Sequence, residues 1–339
     1  MESFFSISCV HVFSVLIVLF MKMTNHIETF ENLTSDKFDS LVEQDLPFII
    51  RQAAFGSCLR NWNKDYFGQK IASKQVSVHV STSPLLDFIN KNFSYCVYDF
   101  IEFLKLCSEE NGLYYYLRSI GNHSSKEIAN LSEQFPEIAN DVEYPEFINF
   151  CAEENCPNEN ECPNRHLFSS VLRISSRNLS IWTHYDVMEN ILLQIIGRKK
   201  VILFPPTDAP FLYLKGDKSE IIDLEAHDLD KKYPMFNNAT RYECILEPGD
   251  SLFIPSMWFH NTKAIEYSIG VNFFWKNPQL IHHYDRNDFY GNKDLKLATH
   301  AYVNLDKALQ HLNKLPDKYR KFYISMCIAK LNKSLKSIS

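Results

Sequence analysis

The sequence predicts an α+β protein built on a small β-barrel, with helices flanking it. Three observations carry that expectation. Residues alternate with period two at Val171 and Arg173, at Leu179 and Ile181, and at Ile191, Leu193 and Ile195. That is the periodicity of strands, not helices. A Gly197-Arg198 turn joins 191–196 to 199–204, a hairpin signal. The longest helical spacing lies in the flanks, at 99–109, 295–314 and 317–335.

Composition sets the outer bounds. A chain of 339 residues holds one large domain or two small ones. At 45% hydrophobic and 14% aromatic, with nine glycines, it can bury a large core, which excludes a disordered chain. The net charge of −6 excludes a general polycation. The charge is uneven, however: the stretch from His300 onward carries +6, leaving −12 elsewhere. A basic tail on an acidic body points to a local anionic partner. The nine cysteines are odd in number and mostly isolated, which speaks for a reducing compartment rather than a disulfide framework.

In chain order, residues 1–24 read as an apolar leader. Its run from Cys9 to Phe20 is shorter than the ~20 residues a membrane-spanning helix needs, so no stable membrane association is expected. No lysine precedes the run and no small-residue cleavage site follows it; a targeting segment remains the alternative. Residues 25–111 form an N-terminal α/β extension. Ser35-Asp36 can cap a short helix through Val42, while 47–51 and 76–80 read as strands. His79 on the latter is a structural histidine or a stray ligand.

The barrel core is expected over 112–292. It opens with the aromatic strand 114–119, whose tyrosines are packing residues or, facing inward, hydroxyl donors to a carboxylate. A helix is predicted over 126–135, ending before Pro136. The segment 151–166 reads as an inserted loop. Its Cys151, Cys156, Cys162 and His166 could bind zinc, although their spacing is unlike a zinc ribbon. On the 199–204 strand, Lys199 shares a face with Val201 and Leu203. A lysine there is a hairpin-tip residue in water or needs an anion. Residues 205–243 form a long loop of the kind that serves as a rim or lid. Residues 293–339 form a helical region, hinged at Pro316, whose apolar positions pack on the barrel or on a second copy.

The candidate chemistry lies in Thr183-His184-Tyr185-Asp186 and, 74 residues on, His260. On a strand, positions i and i+2 share a face, so His184 and Asp186 project together. A second imidazole from a distant strand completes a 2-His-1-carboxylate face, the arrangement that holds non-haem Fe(II) for oxygen chemistry. The run Gly249-Asp250-x4-Pro255-x4-His260 supplies that strand.

The His184–Asp186 and Gly249–His260 motifs, with the Lys199 hairpin, resemble the JmjC class of Fe(II)/2-oxoglutarate oxygenases. Tyr115-Tyr116-Leu117-Arg118-Ser119, Trp182-Thr183-His184-Tyr185-Asp186-Val187-Met188, Trp258-Phe259-His260-Asn261 and Tyr290-Gly291-Asn292-Lys293-Asp294 resemble one branch of it, the tRNA hydroxylases of wybutosine-type bases. The resemblance runs from about Ile27 into the final helix and omits the leader and the cysteine loop. It implies a double-stranded β-helix (jelly-roll, cupin-like) core, iron held by His184, Asp186 and His260, and 2-oxoglutarate contacted by Tyr116, Asn190 and Lys199. It further implies a base beside the anticodon of phenylalanine tRNA, in the anticodon loop, as target. Three protein ligands leave open iron positions for 2-oxoglutarate and for O2 as cosubstrate. The cysteine usage sets the expected location as cytoplasmic, and the helix pair at the chain end is expected to build a homodimer or to pack on its own barrel. The rivals are a JmjC protein hydroxylase or histone lysine demethylase, and, outside enzymes, a cupin-like binding protein.

Overall fold

The alternating stretch folds into eight antiparallel strands: β1 (Leu167–Ser175), β2 (Ser180–His184), β3 (Glu189–Ile196), β4 (Lys199–Phe204), β5 (Tyr242–Leu246), β6 (Ser251–Ile254), β7 (Phe259–Ala264) and β8 (Ser268–Trp275). The computed structural model describes residues 25–121, 127–148, 150 and 165–337. The apolar leader and the zinc expectation at Cys151, Cys156 and Cys162 lie outside the described residues. One sheet has the central order β6-β3-β8-β1, the other β2-β7-β4-β5. Successive strands cross between the sheets except β4 and β5, which pair directly. This is the predicted jelly-roll order.

Strands of the N-terminal extension, and the strand that opens the core, lengthen both edges of the larger sheet. Phe48–Ile50 pairs with β6 and with Glu28–Phe30. At the other edge Tyr114–Arg118 pairs with β1, followed by Gln75–Ser81 and Ser94–Asp99. Ser94–Asp99 was not expected from the sequence. It is a sheet edge with exposed Tyr95 and Val97, and since Cys96 and Tyr98 fill the other phase, no polar–apolar alternation marks it as a strand.

The larger sheet is buried on both faces, which is why β3 stays buried along nearly its whole length although it carries Glu189, Asn190 and Gln194 among its apolar residues. Ile191, Leu193, Phe253, Val271 and Phe273 face outward, against the helices Ser35–Val42 and Phe100–Ser108. Leu192, Leu252 and Ile254 face inward and meet Val201, Leu203 and Leu246 of the second sheet. The alternation at Ile191, Leu193 and Ile195 on β3, and at Val271 and Phe273 on β8, therefore marks the helix-covered face, whereas on β1 that face carries Leu172 and Ile174 and the phase of Val171 and Arg173 is the opposite one. The opposite phase, Arg173, Asn190 and Asn272, turns into the barrel. Gly197 closes the β3–β4 hairpin at φ +70°, and a Cβ there would come within 2.1 Å of the Tyr267 carbonyl oxygen. Only glycine fits, and this turn sets the phase of β4 and hence of Lys199.

Two expectations shift. The helix predicted over 126–135 shrinks to the turns Leu131–Gln134 and Pro136–Ala139. Asn130 caps it late by accepting from Ser132 N at 2.9 Å, and Leu131 N donates to Ser170 Oγ on β1 at 2.7 Å. The first helix is capped by Thr34, one residue before the predicted cap. The long 205–243 connection holds short turns and the hairpin Leu214–Lys215/Lys218–Ser219, which pairs Lys218 opposite His184.

The described residues up to Gln279, with Phe289–Asn292, form one compact unit; Leu280–Asp288 and the residues from Lys293 onward form a second. Within the second, the helices Lys296–Leu312 and Asp317–Lys336 meet at Pro316 and bury none of their residues. Leu305, Leu309, Phe322, Met326 and Leu331 stay exposed.

Phe273 is 0% exposed and lies parallel to Phe55 (6.1 Å between centroids) and edge-on to Tyr144 (5.1 Å). Phe273→Ala is expected to remove about 3–5 kcal/mol of stability, read from the midpoint of guanidinium unfolding.

Candidate metal centre

Strands β2 and β7 are neighbours, and their register sets His260 directly opposite His184. The two rings lie 4.3 Å apart, centroid to centroid. Asp186 follows the end of β2. Its carbonyl accepts from Met257 N at 2.8 Å, which ties this corner to the β6–β7 turn. Asp186 Oδ2 lies 3.6 Å from His260 Nε2, and one ligand atom from each of the three residues falls within 4.8 Å of the others. Among the described residues this is the one group so placed.

Hydrogen bonding prepares the imidazoles. His184 Nδ1 lies 2.9 Å from the Trp182 carbonyl oxygen and His260 Nδ1 lies 3.1 Å from that of Trp258. A carbonyl only accepts, so each Nδ1 carries the proton and each Nε2 keeps a lone pair. Burial pushes His184 well below the ordinary histidine range, helped by the neighbouring His260. Burial also lowers His260, against the pull of Asp186. Both rings are neutral, the form that binds metal. Asp186 Oδ2 is buried with no hydrogen-bond partner. Such an oxygen is costly unless a cation meets it. Two neutral imidazoles and one orphaned carboxylate fit a divalent metal with open positions.

Behind the triad lies a chamber of about 20 Å³, lined by Arg173, Leu192, Lys199, His260, Asn272 and neighbours. Lys199 is 5% exposed. Burial, and then the like charge of Arg173, bring its ammonium down from 10.5 to about 7. Gly270 makes room for it: a Cβ there would sit 3.5 Å from Lys199 Nζ and 2.7 Å from the Leu193 carbonyl oxygen. Asn190 Oδ1 accepts from Asn272 Nδ2 at 2.9 Å, leaving its own buried Nδ2 without a partner. Arg173 donates from Nε to Asn272 Oδ1 at 2.7 Å and from Nη1 to the Tyr116 hydroxyl. The chamber wall thus includes Lys199 among the three residues read as cosubstrate contacts. Asn190 and Tyr116 reach it through Asn272 and Arg173. Arg173 was read from sequence only as a strand position; a guanidinium in the inward phase of an apolar strand was the signal.

An outer cavity of about 400 Å³ opens above, also bordered by Arg173, His184 and Asp186. Phe88 and Trp182 form one wall, 3.6 Å between ring centroids, with Tyr95, Arg118 and Tyr290 around the mouth. His79 lines this cavity and is not part of the metal cluster. Its Nδ1 donates to the Tyr116 carbonyl at 3.1 Å, and burial among Phe88, Phe93 and Tyr95 lowers its pKa to about 4.

Comparison with known proteins places this geometry. The family described as cupin-like domain matches residues 34–280. The tRNA wybutosine-synthesizing protein 5 of Danio rerio is 44% identical over 296 residues, 85% of this chain and 86% of that protein. Its Homo sapiens counterpart is 42% identical over 303 residues, covering 86% and 91%. The tRNA wybutosine-synthesizing protein 4 of Gibberella zeae is 34% identical over 297 residues, but these make up only 27% of that longer protein. The chain belongs to the cupin-like domain family, and within it to the group formed by the tRNA wybutosine-synthesizing protein 5 sequences.

Proposed function

We propose that this protein is an Fe(II)/2-oxoglutarate-dependent hydroxylase acting on the wybutosine-type base beside the anticodon of phenylalanine tRNA. The observation that carries the reading is the buried, unpartnered Asp186 Oδ2 facing two imidazoles with free Nε2 lone pairs. The names of the relatives supply the tRNA and the wybutosine pathway. His184, Asp186 and His260 would hold the iron. When bound, iron with 2-oxoglutarate and O2 supplies the oxidising power that places a hydroxyl on carbon.

The chain's own residues bind, orient and shield. Lys199 offers a point charge for the distal carboxylate of 2-oxoglutarate, with the Tyr116 hydroxyl and the free Asn190 amide as further donors. The chamber has room for one water-sized group. Admitting a carboxylate therefore requires the Arg173 side chain to give way, and its guanidinium can then turn onto the same anion. Ile181, Leu192 and Ile254 keep water from the inner chamber. Above the metal, Trp182, Phe88 and Tyr95 offer ring faces on which an unstacked base can lie.

The described thiols Cys58, Cys96, Cys107, Cys244 and Cys327 are all free, in keeping with a reducing, cytoplasmic location. No helix among the described residues is long and apolar enough to cross a membrane. The exposed apolar side chains of the two C-terminal helices support a homodimer built on them. The basic residues of those helices offer a phosphate contact surface.

Phenylalanine tRNA carrying the unhydroxylated base, incubated with protein, iron and 2-oxoglutarate, should gain 16 Da by mass spectrometry, one oxygen atom by the chemistry proposed. Asp186→Ala should abolish that gain and succinate release while leaving the melting temperature no lower, because it removes a buried carboxylate that lacks a partner; wild-type turnover would overturn the centre.

The pH dependence follows from Lys199. Its folded pKa of about 7 lies below the 10.5 of an exposed lysine. The fold bears the full cost of charging it below about pH 7, and that cost is lost as pH rises toward 10.5. A carboxylate needs the ammonium form, so KM for 2-oxoglutarate should climb above about pH 7, by up to tenfold per unit. Lys199→Met should be weak and flat across the same range. For the dimer, Leu305→Asp with Met326→Asp should halve the mass found by sedimentation.

A further inference from the structure

Arg118 ends the strand Tyr114–Arg118 and lines the outer cavity. Its position in the cavity wall is unusual for a cation. Nη2 donates to the Tyr290 carbonyl at 3.2 Å, and the guanidinium lies over the Tyr290 ring, 5.5 Å from its centroid. Its Nε is buried and has no hydrogen-bond partner. Burial, and next the like charge of Arg173, hold its pKa below the ordinary arginine range. Among the described residues no carboxylate forms an ion pair with it; the opposite charge that reaches it is that of Asp186, a metal ligand.

The charges around the cavity do not balance. Lys218 and Asp217 pair with each other at 2.5 Å. Asp186 faces the metal position. Arg173 is held by the neutral Tyr116 hydroxyl and Asn272 amide and belongs to the inner chamber. Arg118 is left as the cation of the outer cavity, half-buried, with its Nε shut off from water and its Nη2 held by Tyr290. A desolvated guanidinium is costly to bury alone, and its planar fork matches an oxyanion.

We propose that Arg118 receives an oxyanion of the substrate, either a carboxylate on the side chain of the target base or a phosphate flanking that nucleotide, and so determines which substrate is held over the metal. This deepens the hydroxylase reading and rests on it. Arg118 acts on binding, not on the reacting carbon. The aromatic wall of Trp182 and Phe88 would take any flat base, whereas the guanidinium requires an anion at a set distance from it. The cavity therefore selects a flat, anionic nucleotide over a flat, neutral one.

The test uses the full chain loaded with iron. Wild type, Arg118→Gln and Arg118→Lys are compared on tRNA whose base carries a free side-chain carboxylate and on the same tRNA methyl-esterified. Charge-assisted hydrogen bonds of this kind are worth roughly ten- to hundred-fold in binding, so Arg118→Gln should raise KM for the free-acid tRNA by that factor. KM for 2-oxoglutarate and substrate-free 2-oxoglutarate turnover should stay at wild-type values. Arg118→Lys should recover part of the loss, because the point charge remains, and it keeps the test informative should the glutamine variant not fold. If the anion is the carboxylate, wild type prefers acid over ester and Arg118→Gln erases the preference. If it is a phosphate, acid and ester weaken alike and the slope of log affinity against log salt falls by about one.

Unchanged KM for both tRNAs in Arg118→Gln overturns the proposal alone. So does an equal weakening with no change in salt slope, which is what a residue merely bracing Tyr290 would give. A wild-type protein that turns over 2-oxoglutarate yet leaves every tRNA unmodified overturns the substrate reading, and this proposal with it.

Discussion

The pairing of β2 with β7 is the constraint on which the centre depends. It sets His184 opposite His260 across one ladder, and the third ligand follows two residues beyond the strand end. Each ring is oriented by donating Nδ1–H to the carbonyl two residues before it in its own chain, Trp182 for one and Trp258 for the other. The two histidines are thus posed by the same local device on adjacent strands. Rotating either ring would break a hydrogen bond inside the protein, so the backbone itself holds both imidazoles in the pose a metal site would need.

A second constraint is electrostatic. Lys199 lines the inner chamber, Arg118 the outer cavity and Arg173 both, and none forms an ion pair with a carboxylate among the described residues. The partners of Arg173 are neutral, and Lys199 is desolvated to the point where its proton is loosely held. Buried positive charge of this kind costs stability in the free protein. Under the proposed function, each bound carboxylate or phosphate would replace solvation that the fold has removed. The larger sheet can bear the cost because its outer face is covered by one continuous apolar core that reaches from Phe38 to Trp275.

The fold also explains why one sheet carries both stability and chemistry. Strands β1, β3 and β8 give their apolar phase to the helices of the N-terminal extension and their polar phase to the interior. The extension therefore does more than cover a sheet edge. By burying the outer face it frees the inner phase from packing duty, and Arg173, Asn190 and Asn272 can occupy it.

What the sequence determined by itself was the strand content and the hairpin at Gly197, because both rest on short-range spacing: period two and a glycine turn. It also named His184, Asp186 and His260, but Asp186 lies beyond the end of β2 rather than on the strand, and the sheet pairing brings His260 to them. The jelly-roll order was legible through likeness to a known class, not through periodicity. The tertiary structure decided the rest. Only the sheet pairing could say which phase of β1, β3 and β8 faces the barrel, since both faces are buried and the apolar residues mark the outer one. Only packing could turn Arg173, Arg118 and His79 from strand residues into cavity walls, because a charge in a strand reads the same whether it meets water or a closed chamber. The helix expected over 126–135 failed for the same reason: Ser170, distant in the chain, takes the Leu131 amide that local propensity would have assigned to a longer helix.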